Sequence, residues 1–152
     1  MKKIFLLLCA AVFGVSVLAQ QAYNVRAPFD PATVKMAEDK RGEVLKFTIN
    51  DSKYYPGTER EILVYVPQAY KSNEPACLLV CMDGILYDAT TVMDNLIATG
   101  EMPVTIGVFV NPGIVYDQSQ EVVRYNRCKE FDSTDDTFAR FLETEVLPHV
   151  EG

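Results

Sequence analysis

An α/β fold is what the sequence predicts, and three observations predict it. Residues 76–82 and 104–110 are unbroken apolar runs, a helical stripe lies between them, and a second helical pattern follows a polar stretch. Continuous apolar runs suit strands buried on both faces, and strands alternating with helices imply parallel pairing through right-handed crossovers.

The chain begins Met1-Lys2-Lys3, stays apolar through Val15, and reaches Val17-Leu18-Ala19 before turning polar at Gln20. A charged start, a short apolar stretch and a small-residue cleavage site make residues 1–19 a predicted export signal, so the mature chain is expected in the periplasm or secreted. Lipid anchoring through Cys9 is the rival reading; Leu8 is bulky where that chemistry needs a small residue. The apolar run falls short of the ~20 residues of a membrane span, and no later run approaches that length. No membrane association is expected once the signal is removed.

Residues 20–42 carry Pro28, Pro31 and the charged cluster Glu38-Asp39-Lys40-Arg41, and read as a linker or extended arm. Residues 43–152 then form the predicted domain. Strands are expected at 44–49 and 61–66, the second from the alternation of Ile62, Val64 and Val66, with a Pro56-Gly57 turn between them. They are read as an antiparallel pair. Residues 76–82 are expected to be the first central strand, residues 90–99 a helix closed by Gly100, and residues 104–110 the next buried strand. From 135 to 150, Phe138, Phe141, Leu142, Val146 and Val150 share a helical face, with Ser133 and Thr134 as candidate caps. With only two doubly buried strands, a central sheet edge is left open.

Composition narrows the chemistry. The formal net charge is −7 and drops to −9 without Lys2 and Lys3, so nucleic acid is not an expected partner. His149 is the only histidine and no Cys or His pair has ligand spacing, so neither a metal nor any other cofactor is expected. Cys77 and Cys81, ~13 Å apart along a strand, are too distant for a disulfide and read as small buried apolar residues. His149 reads as a surface or helix-end residue.

Ligands in open α/β sheets bind beyond the carboxyl ends of the strands, and the segment leaving the first apolar run is Met82-Asp83-Gly84-Ile85. A glycine there lets backbone amides approach a substrate oxygen; the plainer alternative is a turn. Residues 81–88 also resemble the Asp-x-Asp-Gly-x-x-x-Asp motif of haloacid-dehalogenase-type phosphatases, with Cys81 in the place of the phosphoryl-accepting aspartate.

The broader resemblance runs from about Arg41 to the end of the chain. Residues 52–60 followed by Val64-Tyr65-Val66-Pro67, then 78–84 with its Asp-Gly, then Asp94-Asn95-Leu96-Ile97 with Gly100 and Pro103, residues 108–112, Arg124-Tyr125-Asn126-Arg127, Glu130-Phe131-Asp132 and 138–148 are together similar to the putative esterase family of α/β-hydrolases. That group includes enterochelin esterase-like and feruloyl esterase-like proteins. The resemblance implies the N-terminal portion of an α/β-hydrolase sheet: antiparallel first strands, then parallel strands with crossover helices. It implies a serine ester hydrolase acting on a small-molecule or polysaccharide ester, with Gly84 or Ile85 lending an amide to the oxyanion hole. Asp83, Arg124 and Arg127 are the substrate-binding candidates, with ordinary pairing of the arginines to Glu121, Glu130 or Asp132 as the alternative. No Gly-x-Ser-x-Gly occurs among the 152 residues, so the catalytic serine, acid and histidine are expected after Gly152, and this chain alone is expected to be inactive. A non-catalytic binding or structural module, presenting Tyr54, Tyr55, Tyr87 and Tyr116, is the alternative function.

Overall fold

The computed structural model describes residues 30–151, so the expected export signal lies outside the described residues. A four-stranded sheet organises the domain: β1 (Glu43–Ile49), β2 (Arg60–Val66), β3 (Cys77–Met82) and β4 (Thr105–Val110), in the order β1-β2-β4-β3. β1 and β2 pair antiparallel, as do β2 and β4, whereas β3 and β4 are parallel. The crossover between β3 and β4 is helix α1 (Ala89–Thr99). Antiparallel opening strands followed by a parallel pair across a helix is the predicted α/β arrangement.

Alternation along β2 and β4 builds two cores. Ile62, Val64, Val108 and Val110 face one side of the sheet with Ile49, where Phe141 and Val146 cover them. Tyr65 and Phe109 face the other side, against Met93 of α1. Gly107 keeps that second face thin, because a Cβ there would sit 2.7 Å from the Phe109 ring. α1 stops at Gly100, whose left-handed backbone (φ 75°) turns its N–H onto the Ile97 carbonyl, a cap that a glycine adopts without steric cost.

The C-terminal helical stretch departs from the single helix expected. It runs as α3 (Thr137–Phe141), a π-helical turn (Leu142–Val146) and α4 (Leu147–Glu151). Pro148 has no N–H to give to a preceding turn, and the wider π turn ahead of it absorbs the lost bond. The start is held by Asp135, whose carboxylate accepts the Thr137 N–H at 2.9 Å, rather than by a Ser133 or Thr134 cap on the helix. Phe141 and Val146 are buried on the predicted face.

β3 requires a correction. It pairs with β4 alone and lies at the sheet edge, leaving Leu78 and Met82 about half exposed and Cys77 exposed instead of buried. α1 covers only the side carrying Leu79 and Cys81. The open central edge expected from the strand count is therefore the outer edge of β3. Residues 31–42, within the segment read as linker or arm, form two 3-10 turns (Pro31–Thr33 and Glu38–Lys40) against α1, where Asn95 donates to the carbonyls of Ala32 and Val34, both at 2.8 Å.

The sequence reading also passed over a two-stranded ribbon, β5 (Ile114–Tyr116) and β6 (Val122–Tyr125), and a short helix α2 (Arg127–Phe131). β6 is exposed along its whole length, so it carries no burial pattern to read.

Candidate functional site

Both parallel strands end at the same side of the sheet, and antiparallel pairing brings the start of β2 and the end of β1 there too. Residues from four strands and the β5–β6 ribbon thus converge at one end. The turn leaving β3 is strained: Asp83 (φ 67°), Gly84 (φ 72°), Tyr87 (φ 54°) and Asp88 (φ 53°) all take left-handed backbone within six residues. For a tyrosine or an aspartate that conformation costs roughly 1–2 kcal/mol, and such strain gathers at working sites.

Gly84 is required sterically as well, since a Cβ there would stand 2.5 Å from Oδ1 of Asn111, just beyond β4. Its N–H donates a long bond, 3.4 Å, to the Val110 carbonyl. The Ile85 N–H donates to no backbone carbonyl among the described residues, so of the two predicted amides it is the one available to a ligand oxygen.

Asp83 does not stand open. Arg127 at the start of α2 grips it with both prongs of its guanidinium, Nε to Oδ1 at 2.7 Å and Nη2 to Oδ2 at 2.6 Å. That charge-assisted bonding holds the Asp83 carboxyl below its ordinary pKa and raises that of Arg127 further. The pair is accessible, with Arg127 half exposed and its guanidinium 5.9 Å from the Phe131 ring centre. Arg124 is separate from it: its Nε bonds the side chain of buried Asn126 at 2.8 Å. The ion pairs weighed for these arginines with Glu121, Glu130 and Asp132 do not form; Arg127 chooses Asp83 and Glu130 is occupied elsewhere.

Glu130 belongs to a buried cluster that the sequence reading did not find. Its Oε1 accepts from Arg60 Nη2 at 2.8 Å, with both side chains fully buried, and its Oε2 accepts the Gly113 N–H at 3.1 Å. The Arg60 guanidinium lies 4.3 Å from the Phe141 ring centre and 5.1 Å from that of Tyr55, while its Nε and Nη1 have no hydrogen-bond partner among the described residues. Cation–π contact with two rings offsets part of that cost. A Cβ on Gly113 would meet Glu130, Arg60 and Thr58 atoms at 2.7–2.9 Å, so the cluster is closed around a glycine. It ties the start of β2, the loop after β4 and the helix that carries Arg127 into one unit, and so sets where Arg127 can reach. One signal was present in the sequence: the alternation of Ile62, Val64 and Val66 extends back to position 60, placing Arg60 on the inward face.

Tyr55 is buried and Tyr54 and Tyr116 are half-buried, contrary to the expectation that they are exposed, whereas Tyr87 is 93% exposed. Ser52 is buried and accepts the Tyr55 N–H, and His149 stacks on Phe47 with Nδ1 2.9 Å from the Glu145 carbonyl. No serine–histidine hydrogen bond occurs among the described residues, and no group of three or more His, Cys, Asp or Glu side chains there is arranged to hold a metal ion. Among the described residues no helix is long and apolar enough to cross a membrane.

A family model described as "Putative esterase" matches residues 53–152. Among solved structures, a protein titled FAE is 18% identical with a TM-score of 0.54, covering 83% of this chain and 40% of its own. A CE1 ferulic acid esterase from Anaeromyces mucronatus, in complex with ferulic acid, is 20% identical with a TM-score of 0.53, covering 81% of this chain and 47% of its own. The same esterase without substrate gives 17% identity and a TM-score of 0.52. This chain spans less than half the length of each, and the likeness at these identities is one of fold. No curated protein matches.

Proposed function

The chain belongs to the putative esterase family, and on that premise we propose that it forms the oxyanion side of an exported, serine-dependent carboxylic ester hydrolase of the enterochelin- or feruloyl-esterase type. The observation that carries the reading is the turn after β3. Gly84 brings the backbone tight against Asn111, and the Ile85 N–H, at the carboxyl end of a parallel strand, donates to no backbone carbonyl among the described residues. An amide there acts on charge that develops on the carbonyl oxygen during attack, and losing such a donor typically costs ~3 kcal/mol of transition-state stabilisation.

In this reading the serine that attacks the ester carbonyl, the histidine that takes its proton and the carboxylate that orients the histidine come from chain outside residues 30–151. Asp83 and Arg127 border the acyl-binding end. Arg127 presents a fork suited to a carboxylate or phenolate, held ready by Asp83 until a ligand competes for it. Siderophore esters and acylated plant polysaccharides are the substrate classes in view. Export to the periplasm or beyond rests on the charged and apolar pattern of residues 1–19.

The test is hydrolysis of a short-chain aryl acetate and a feruloyl ester by the 152-residue chain, beside the same chain continued through the downstream reading frame of its gene. Activity in the longer chain alone is expected. Activity in the 152-residue chain overturns the placement of the nucleophile. Silence from both favours a non-catalytic module, a reading supported by exposed Tyr87 and by the lack of a serine–histidine pair among the described residues.

A further inference from the structure

We propose that the cavity between the N-terminus of α1 and the 3-10 turns of residues 31–42 binds a free α-amino acid through both its ammonium and its carboxylate. This site is independent of the hydrolase reading, and none of Asp83, Asn111 or Arg127 lines it. The cavity has a volume of about 360 Å³, inside the usual range for small-ligand sites of ~300–1,000 Å³. Lys35 and Arg41 line it together with Glu38, Asp88 and Asp94, yet none of the five forms an ion pair with any described residue. Opposite charges that share a cavity without closing on each other suit a ligand that carries both signs.

The helix provides for the carboxylate. Asp88 occupies the capping position of α1 with left-handed backbone (φ 53°), and its side chain makes no capping hydrogen bond. The Ala89 N–H turns back to the Leu86 carbonyl at 3.0 Å, and the Val92 N–H bonds the Asp88 carbonyl at 3.1 Å. The N–H groups of Thr90 and Thr91 are left without an acceptor among the described residues, and both residues line the cavity. Free amides at a helix N-terminus attract negative charge. Arg41 adds a cation whose Nε is buried without a hydrogen-bond partner among the described residues.

Asp94, only 8% exposed, provides for the ammonium. Its Oδ1 accepts the Gly42 N–H at 2.8 Å and the Tyr65 hydroxyl at 2.7 Å, which fix the carboxylate, while Oδ2 accepts no hydrogen bond from a described residue. Thr91 is 6% exposed, and its hydroxyl too makes no hydrogen bond to a described residue. A largely buried carboxylate gains from a cation that can reach its free oxygen. Asp94 follows Thr90 by four residues, ~6 Å along the axis, and helical side chains lean back toward the N-terminus. An α-amino acid has both charges on one carbon and bridges that gap with a charge-assisted bond of ~2.8 Å at each end. A lone anion would face three carboxylates, and a lone cation would face Lys35, Arg41 and the positive end of the helix.

The experiment is a titration of the 152-residue chain with L-alanine, sodium acetate, methylammonium chloride and glycylglycine, followed by calorimetry and by amide chemical shifts. Saturable binding of L-alanine is expected, with shifts at Gly42, Thr90 and Thr91, and the other three ligands should bind at least about 10-fold more weakly because each loses one charged contact or the spacing. Asp94→Asn keeps an oxygen for Gly42 and Tyr65 but removes the charge, and Arg41→Gln removes the cation. Each should weaken L-alanine about 10-fold while circular dichroism shows the fold retained. Arg140→Gln, on the helical stretch covering the opposite face of the sheet, should leave affinity unchanged. No saturation by L-alanine at tens of millimolar, or unchanged affinity in both cavity variants, would overturn the proposal. Acetate binding as tightly as L-alanine would reduce the site to an anion-attracting helix end, methylammonium doing so would reduce it to an acidic cluster, and glycylglycine doing so would remove the spacing argument; each overturns it. Because binding is read without turnover, L-alanine binding by a chain whose lengthened form hydrolyses nothing removes the hydrolase reading and keeps this one.

Discussion

Helix α2 carries one member of each of two arginine–carboxylate pairs three residues apart, and the two pairs are opposites. Arg60–Glu130 is wholly buried, sealed by Gly113 and two aromatic rings; Asp83–Arg127 is bidentate, short and open to solvent. Geometry alone would rank the exposed pair as the stronger, since both Asp83 oxygens bond the one guanidinium whereas Arg60 reaches a single oxygen of Glu130. Environment reverses the ranking. Water and ions screen the outer pair and compete for each partner, whereas the inner pair is buried out of their reach, so losing one member strands a charge in the core. The inner pair fixes position, and the outer pair is exchangeable, which is what a ligand-facing arginine needs.

The largest effect expected from breaking this comparison is at Glu130. Glu130→Ala leaves Arg60 buried without a counter-charge and should lower the unfolding free energy by ~3–5 kcal/mol in urea denaturation. Adding Arg60→Met should restore most of it, because Arg60 already has two unpartnered nitrogens to desolvate. A double variant as unstable as the single would show that the pair is not the source of the cost. Next in size is Gly113→Ala, whose methyl has atoms of three residues within 3 Å and should cost about 1–3 kcal/mol in the same assay.

The smallest effect is at the outer pair, and pH sharpens it. Arg127 holds the Asp83 carboxyl below its ordinary pKa in the folded state. The stabilisation is therefore present above the unfolded-state carboxyl pKa and is lost as pH falls through the lowered folded value. Asp83→Asn should flatten that part of the acid limb of the stability–pH curve, barely shift the neutral-pH midpoint, and lose its effect in high salt. A large loss at neutral pH would place this pair with the buried one.

The contrast also marks what the sequence could convey. The strands of the four-stranded sheet and α1 were legible because their apolar patterns are local: Ile62, Val64 and Val66 by twos, and Val92, Met93, Leu96 and Ile97 by helical turns. Arg60–Glu130 was not, because its partners are seventy residues apart and each sits in a charged stretch that reads as surface. The Asp83-Gly84 turn was legible as a site from its place after an apolar run, but not its clasp by Arg127, which depends on a short helix with too few residues to show a pattern. β3 was misjudged for a related reason. Composition reports what a strand is suited to be buried against, and not whether a neighbour is present.

That edge also sets a direction. The outer edge of β3 runs Cys77-Leu78-Leu79-Val80-Cys81-Met82 without a charge or a proline, while the opposite edge, β1, carries Glu43 and Lys46. Within the four-stranded sheet this leaves one edge that a further strand can join without meeting a charge and one that resists it, so the described sheet extends in a single direction.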